Sequence, residues 1–123
     1  MKDFIRLTDL RAGEVYEIFH IADEISAGKY NGFLQGKSAV LFFPASSIRT
    51  RVTFEKGIWL LGGQSILFPD DALNKKEDIR DVCGYLNNWA DLIIVRYQDI
   101  QLIEKIAEYA DVPVINAMTD CNH

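Results

Sequence analysis

Two arginines and several hydroxyl side chains stand close together in the segment Ser46–Arg51. The segment follows a short apolar run, Ser38–Phe43, and precedes residues with helical periodicity, so it is expected where a strand gives way to a helix. At such a junction, free backbone N–H groups and the positive end of the helix dipole lie beside the side-chain donors. Arginine binds phosphate oxygens in a bidentate manner. The pattern therefore predicts a phosphate site without a glycine-rich loop.

A purely structural role is a second interpretation of the same segment. Ser46 or Ser47 alone can cap the helix, and Arg51 can form an ion pair with Glu55 one turn later. In that case the arginines are solvated or ion-paired, and the segment binds no ligand. Spacing alone leaves both interpretations open.

Two further polar positions follow apolar runs. Arg96 comes directly after four apolar residues, and a charge at the end of a buried strand is expected to face a site. His123, taken alone, fits an ordinary loop histidine. Cys121 lies two residues before it, but this spacing in a loop fixes no hydrogen bond, so a Cys–His catalytic pair is not favoured.

The order of periodic segments predicts how these residues are positioned. Apolar residues recur at three and four residues from Thr8 to about Ser26, which indicates a helix capped by Thr8 and ended by Gly28. Strands are predicted at 38–43, 64–68, 91–95 and 113–115, with helices at about 49–61, 77–88 and 99–109 between them. This alternation predicts an α/β fold, a parallel four-stranded sheet with helices on both faces.

Ligands of such sheets bind beyond the carboxyl ends of the strands. The segments there are 44–51, 69–76, 96–99 and 116–123, so one edge of the sheet collects all the polar positions named above. The last residue falls inside one of these segments, and we therefore expect the chain to be part of a longer protein. Six large aromatic residues are predicted to be core or interface residues: Phe42, Phe43, Phe54, Trp59, Tyr85 and Trp89.

Composition limits the function classes. The 123 residues suffice for about one domain, and 49% apolar with 25% charged residues is typical of a globular chain. The net charge of -5 argues against nucleic acid or an anionic membrane as partner. Neither a signal peptide nor an apolar run long enough to span a membrane is found, so a cytoplasmic protein is predicted. Cys83 and Cys121 lack metal-ligand spacing and are predicted to be free thiols.

Two motifs resemble the signatures of the aspartate/ornithine carbamoyltransferase family. Ser47–Arg51, followed by Phe54 and Glu55, resembles the Ser-Thr-Arg-Thr-Arg signature, with Ile48 in place of the first threonine. Asn116–His123 resembles the second signature, and its Thr-Asp-x-x-His form is closer to the ornithine branch than to the aspartate branch. The resemblance extends over nearly the whole chain.

The resemblance implies that residues 1–123 are the carbamoyl-phosphate-binding half of a two-domain enzyme, whose other domain binds the amino-acid acceptor. The reaction implied is transfer of the carbamoyl group from carbamoyl phosphate to an amine, with ornithine, which yields citrulline, as the favoured acceptor. No metal or cofactor is implied. The catalytic residues implied are Arg49, Thr50, Arg96 and His123. Ser47, Ile48 through its backbone N–H, and the same four residues are implied to bind carbamoyl phosphate.

The resemblance also implies a homotrimer, in which Lys75 or Lys76 reaches the site of a neighbouring subunit. Either lysine also fits a solvated charge run with Glu77 and Asp78. Carbamoyl transfer to aspartate or another amine, and a non-catalytic phosphate-binding or assembly module, are the alternatives. Because catalysis requires the acceptor amine to be held beside the donor, we expect the 123-residue chain alone to be inactive.

Overall fold

The computed structural model describes residues 3–74 and 77–121. Its elements in chain order are α1 (Ala12–Ser26), β1 (Ser38–Phe43), α2 (Arg49–Leu60), β2 (Gln64–Pro69), α3 (Ile79–Leu86), β3 (Leu92–Arg96), α4 (Ile100–Tyr109) and β4 (Val114–Met118), with 3-10 turns at Leu7–Asp9 and Asp70–Asn74. The four strands form one parallel sheet in the order β2-β1-β3-β4. The predicted α/β fold is confirmed.

The two central strands, β1 and β3, are buried on both faces, as their continuous apolar runs predict. Successive side chains of a strand point to opposite faces. Ile93 therefore packs with Cys83 of α3 and Ile103 of α4, whereas Ile94 packs on the other face with Ile58 of α2. This alternation fixes which side chains of β3 point toward α2, and it continues to the end of the strand at Arg96.

The first helix begins later than the apolar periodicity predicts. Residues 7–9 form a 3-10 turn, and α1 starts at Ala12, so the prediction that Thr8 caps it is wrong. The Glu14 carboxylate accepts the backbone N–H of Arg11 at 3.0 Å and so satisfies a donor that precedes the helix. Gly28 follows the helix with a positive φ of 88°, the conformation in which glycine commonly ends helices.

Several large apolar side chains are exposed rather than buried. Trp59, Tyr85 and Trp89 are each about two-thirds exposed, so the prediction that they are core residues is wrong, and their role as interface residues stays a prediction. The helix α1 contains no buried residue. Periodicity identifies which helix positions are apolar, but the burial of those positions depends on what packs against the helix.

Cys83 and Cys121 are both free thiols, as predicted, and Cys83 is almost completely buried. No helix among the described residues is long and apolar enough to cross a membrane. The Cys83 Sγ lies 3.9 Å from the backbone oxygen of Ile106, so the thiol sits between α3 and α4.

Burial of the Cys83 thiol makes stability depend on pH. Burial raises its pKa from 9.0 to about 11. Above pH 9 the unfolded chain loses this proton while the folded chain keeps it, so stability is lost as the pH rises toward 11. We expect denaturant titrations to show a smaller loss of unfolding free energy across this range for Cys83→Ala than for the wild type. Equal losses of unfolding free energy in the two proteins would show that the Cys83 thiol is not the source of this pH dependence.

Candidate anion-binding site

The segment Ser46–Thr50 leads from the turn after β1 into the first two residues of α2, and we refer to it as the β1–α2 cradle. The Ser47 N–H donates to the backbone oxygen of Pro44 at 3.0 Å, which closes the turn. Ile48 is the N-cap of α2, and its carbonyl accepts the N–H of Val52 at 3.0 Å. An isoleucine side chain has no oxygen to accept hydrogen bonds from the first helical turn. The N–H groups there are therefore left for an acceptor from outside the helix.

Arg96 joins the cradle from a neighbouring strand. Its Nη1 donates to the Ser47 Oγ at 2.9 Å, and Ser47 is only 5% exposed. β1 and β3 are adjacent, with Phe42 paired to Val95. Arg96 shares a face of β3 with Ile94, the face that packs with α2. Strand alternation thus places the guanidinium beside the start of α2.

The cradle and Arg96 enclose one cavity at the carboxyl edge of the sheet. Its volume is about 550 Å³, and it is lined by Ser46–Thr50, Arg96 and Met118. Five of the predicted site residues are thereby brought together: Ser47, Ile48, Arg49, Thr50 and Arg96. Among the residues that the structure describes, neither Arg49 nor Arg96 forms an ion pair. Two uncompensated positive charges beside a helix N-terminus favour an anion in this cavity.

Arg51 has the structural role that the second interpretation of the sequence assigned to it. Its Nε lies 3.2 Å from the Glu55 Oε2, one turn further along α2. It is not among the residues that line the cavity. The first and second arginines of the motif therefore have different surroundings, because residues two apart on a helix point in different directions.

His123, Lys75 and Lys76 lie outside the described residues, so their implied roles stay predictions. The segment that leads toward His123 is anchored at Thr119, which is 5% exposed. The Cys121 N–H donates to the Thr119 Oγ1 at 3.3 Å.

Met118 is a cavity residue that sequence reasoning missed. β4 extends to Met118, whereas the apolar run predicts a strand only to Ile115. The polar Asn116 hides the continuation of the strand, because a single polar residue interrupts the continuous apolar run. The apolar side chain of Met118 within an otherwise polar segment is the signal that identifies it.

A second, smaller cavity adjoins the first. It has a volume of about 180 Å³, shares Arg96 and Met118 with the larger cavity, and is also lined by Asp70, Tyr97 and Asp120. Burial raises the pKa of Tyr97, and the nearby carboxylates of Asp70 and Asp99 raise it further. The Tyr97 hydroxyl donates to the Asn74 side-chain oxygen. The site therefore has a cationic half at the cradle and an acidic half beyond Arg96.

The chemistry available at the larger cavity is the binding and charge stabilisation of an anion. Guanidinium groups, hydroxyls and backbone N–H groups are hydrogen-bond donors that hold phosphate oxygens. The described residues contain no group of three His, Cys, Asp or Glu side chains placed to hold a metal ion.

Comparison with known proteins agrees with this picture. Residues 2–123 match the family described as aspartate/ornithine carbamoyltransferase, carbamoyl-P binding domain. The ornithine carbamoyltransferase of Shewanella oneidensis is 37% identical over an alignment of 127 residues, which covers the whole of this chain and 42% of that protein. The chain thus spans about two-fifths of the length of the curated relatives it matches.

Solved structures show the same architecture. The ornithine carbamoyltransferase from Pyrococcus furiosus superimposes with a TM-score of 0.82 at 33% identity, over 96% of this chain and 40% of that one. An N-acetyl-L-ornithine transcarbamylase complexed with carbamyl phosphate and N-succinyl-L-norvaline gives a TM-score of 0.84 at 29% identity, over 97% and 43% of the two chains. The similarity extends over almost the entire described fold.

Proposed function

Because the chain belongs to the aspartate/ornithine carbamoyltransferase family, as its carbamoyl-phosphate-binding domain, we propose that the cavity at the β1–α2 cradle binds carbamoyl phosphate for carbamoyl transfer to ornithine. The observation that carries the proposal is the hydrogen bond from Arg96 to Ser47. It joins the end of β3 to the cradle beside a cavity lined by Arg49 and Arg96, neither of which forms an ion pair with another described residue. The curated relatives that support ornithine as acceptor are ornithine carbamoyltransferases.

In this proposal the cradle holds the phosphate group. Ser47, Arg49 and Thr50 donate from their side chains, and Ile48 donates through its backbone N–H. Arg96 extends between the phosphate and the carbamoyl oxygen, and Thr50 also lies near that oxygen. His123 contacts the carbonyl oxygen in the implied arrangement.

The proposed residues suit the charge changes of the reaction. The neutral amine attacks the carbamoyl carbon, negative charge grows on the carbonyl oxygen, and phosphate leaves with the electrons of the broken C–O bond. Cationic donors fixed around these oxygens stabilise the transition state more than the substrate. Arg96 is held in place before any ligand arrives, so little reorganisation is needed when the charge develops.

Ligand-dependent stability tests the proposal. We expect carbamoyl phosphate to raise the free energy of unfolding in urea at 25 °C, by about 2.7 kcal/mol when its concentration is one hundred times its Kd. Inorganic phosphate should stabilise less, because it lacks the carbamoyl oxygen that Arg96 and Thr50 would bind. Sodium chloride added to the same ionic strength is the control. Stability unchanged by either phosphate compound would contradict the proposed function.

A different amine remains the alternative acceptor. A structural neighbour of this chain is an N-acetyl-L-ornithine transcarbamylase, and Ile48 departs from the family signature at the cradle. Assays of carbamoyl transfer with ornithine, N-acetylornithine and aspartate distinguish the acceptors in a protein that also contains an acceptor-binding half. For the 123-residue chain alone, product formation no faster than the uncatalysed background is expected, since nothing in the proposed site holds the amine for attack.

We also propose that the protein assembles as a homotrimer with sites shared between subunits. Light scattering should give three times the 14.0 kDa mass of one chain. Replacing both Lys75 and Lys76 with alanine should weaken phosphate binding by removing positive charge supplied by a neighbour. Mixing that variant with Arg49→Ala should restore part of the binding. In mixed trimers, some sites combine the intact cradle of one subunit with the intact lysines of its neighbour. A monomeric mass, or no recovery after verified subunit exchange, would rule out shared sites.

A further inference from the structure

Strand β4 contains one residue that has no pairing partner in β3. Val95 pairs with Asn116 and Arg96 pairs with Met118, so Ala117 is an extra residue in β4. Such a bulge bends its strand and changes the direction of the side chains around it, and bulges are common beside functional sites. This bulge lies level with Arg96, the residue that donates to Ser47.

The side chain of Asn116 stabilises this bulge. Its Oδ1 accepts the Met118 N–H at 2.9 Å, and its Nδ2 donates to the backbone oxygen of Ile5 at 2.9 Å. Its backbone N–H donates to the oxygen of Phe4 at 2.8 Å. An asparagine side chain readily bonds the backbone two residues further on. One residue thus ties the irregular part of β4 to the segment that lies along its outer edge.

The bulge also determines the pairing beyond the end of β3. The Tyr97 N–H donates to the oxygen of Met118 at 3.1 Å, and the Asp120 N–H donates to the oxygen of Gln98 at 3.0 Å. The backbone of Arg96 is consequently held on both sides, by the pairing of Val95 before it and by the bond from Tyr97 after it. A long arginine side chain loses considerable rotamer freedom when it is fixed, so a fixed backbone reduces the cost of directing it.

We propose that Asn116 is a positioning residue for anion binding, which fixes the bulge through the Met118 N–H and thereby keeps Arg96 directed at Ser47 and the cavity. The part of this proposal that concerns the anion rests on the proposed function. Asn116 is not among the residues that line the cavity. It therefore acts on the anion through Arg96, without touching it.

Two substitutions separate this role from simple stabilisation. Asn116→Ala and Asn116→Ser both remove the hydrogen bond to Ile5, so both are expected to lower stability. Only serine keeps a side-chain oxygen that can accept the backbone N–H of Met118. We expect Asn116→Ala to weaken inorganic phosphate binding about tenfold and Asn116→Ser to stay within about threefold of the wild type. Equal weakening by the two variants, or none in either, would overturn the proposal.

A second arm uses Arg96→Ala. If Asn116 acts through Arg96, adding Asn116→Ala to Arg96→Ala causes no further loss of phosphate affinity, whereas independent effects would add. Asp3→Ala is the matched control. It removes the 2.8 Å bond from the Val114 N–H to the Asp3 carboxylate, which also ties the N-terminal segment to β4 but lies away from the bulge. The phosphate affinity of Asp3→Ala should stay at the wild-type value. If the double variant loses affinity equal to the sum of the losses of Asn116→Ala and Arg96→Ala, the proposal is overturned.

Amide hydrogen exchange tests the bulge without a ligand. The Met118 and Tyr97 amides should exchange at least tenfold faster in Asn116→Ala than in Asn116→Ser. Absence of phosphate binding by the wild type would contradict the proposed function alone, and the exchange rates would still decide the role of Asn116. Equal exchange rates in the two variants would contradict that role even if the wild type binds phosphate.

Discussion

Replacement of Arg49 by alanine should remove most of the affinity for phosphate. Arg49 lines the cavity and, within the described part of the chain, has no carboxylate partner that shares its charge. Hydrogen bonds to a charged group contribute about 1.5–3 kcal/mol each, and loss of about 2–3 kcal/mol corresponds to a roughly 30- to 150-fold weaker Kd. Calorimetric titration with inorganic phosphate measures the change directly.

Arg80→Ala is the control for the loss of a positive charge. The Arg80 guanidinium lies over the ring of Tyr109, 5.1 Å from its centroid, and Arg80 does not line the cavity. Its removal changes the net charge by the same amount as Arg49→Ala. Equal phosphate affinity in the wild type and Arg49→Ala, or equal losses in Arg49→Ala and Arg80→Ala, would place the binding site elsewhere.

Replacement of Phe43 by alanine should destabilise the fold by about 3–5 kcal/mol. Phe43 is 1% exposed, ends β1 directly before the turn into the cradle, and packs on Phe54 of α2 with ring centroids 6.0 Å apart. Removing the ring leaves a cavity between the sheet and the helix that presents the cradle. Urea unfolding monitored by circular dichroism measures the loss, which is a large share of the 5–15 kcal/mol typical of native domains.

Phe19→Ala provides the matched control, since Phe19 lies on α1 and is 60% exposed. Its effect on stability should stay within about 0.5 kcal/mol. If Phe43→Ala fails to fold, the milder Phe43→Leu should still show a lower urea midpoint than Phe19→Ala. Equal losses of unfolding free energy for the Phe43 and Phe19 variants would show that the sheet face packed against α2 is not a well-packed core.

Local features of the chain explain why most element bounds agree with the sequence predictions. The run Ser38–Phe43 is a strand with the bounds its apolar residues indicate, and the helix predicted at about 49–61 is observed at Arg49–Leu60. Gly28 also follows the end of α1, one residue beyond its C-cap Ala27, as predicted. These features depend on neighbours within a few residues, which the sequence displays directly. The cradle belongs to this class, because its donors are adjacent in the chain.

The burial of helix faces could not be predicted from neighbouring residues. Trp59 and Phe19 occupy apolar positions of helices, yet both are more than half exposed. Arg49 and Arg51 are two residues apart in one motif, but Arg51 is paired with Glu55 and Arg49 lines the cavity. The composition of a helix and the spacing of its apolar residues are the same whether or not another element packs against it. Only the folded structure therefore distinguishes buried from exposed helix positions.

The sequence by itself determined the strand and helix order, the parallel sheet that this order requires, and the donors of the cradle. Tertiary structure alone decided that Arg96 meets Ser47, a residue 49 positions away in the chain, and that Ala117 is the extra residue between Asn116 and Met118. The physical reason is the range of the forces involved. Periodicity and capping record contacts within one or two turns, whereas strand register and side-chain direction depend on hydrogen bonds between segments that meet only after folding.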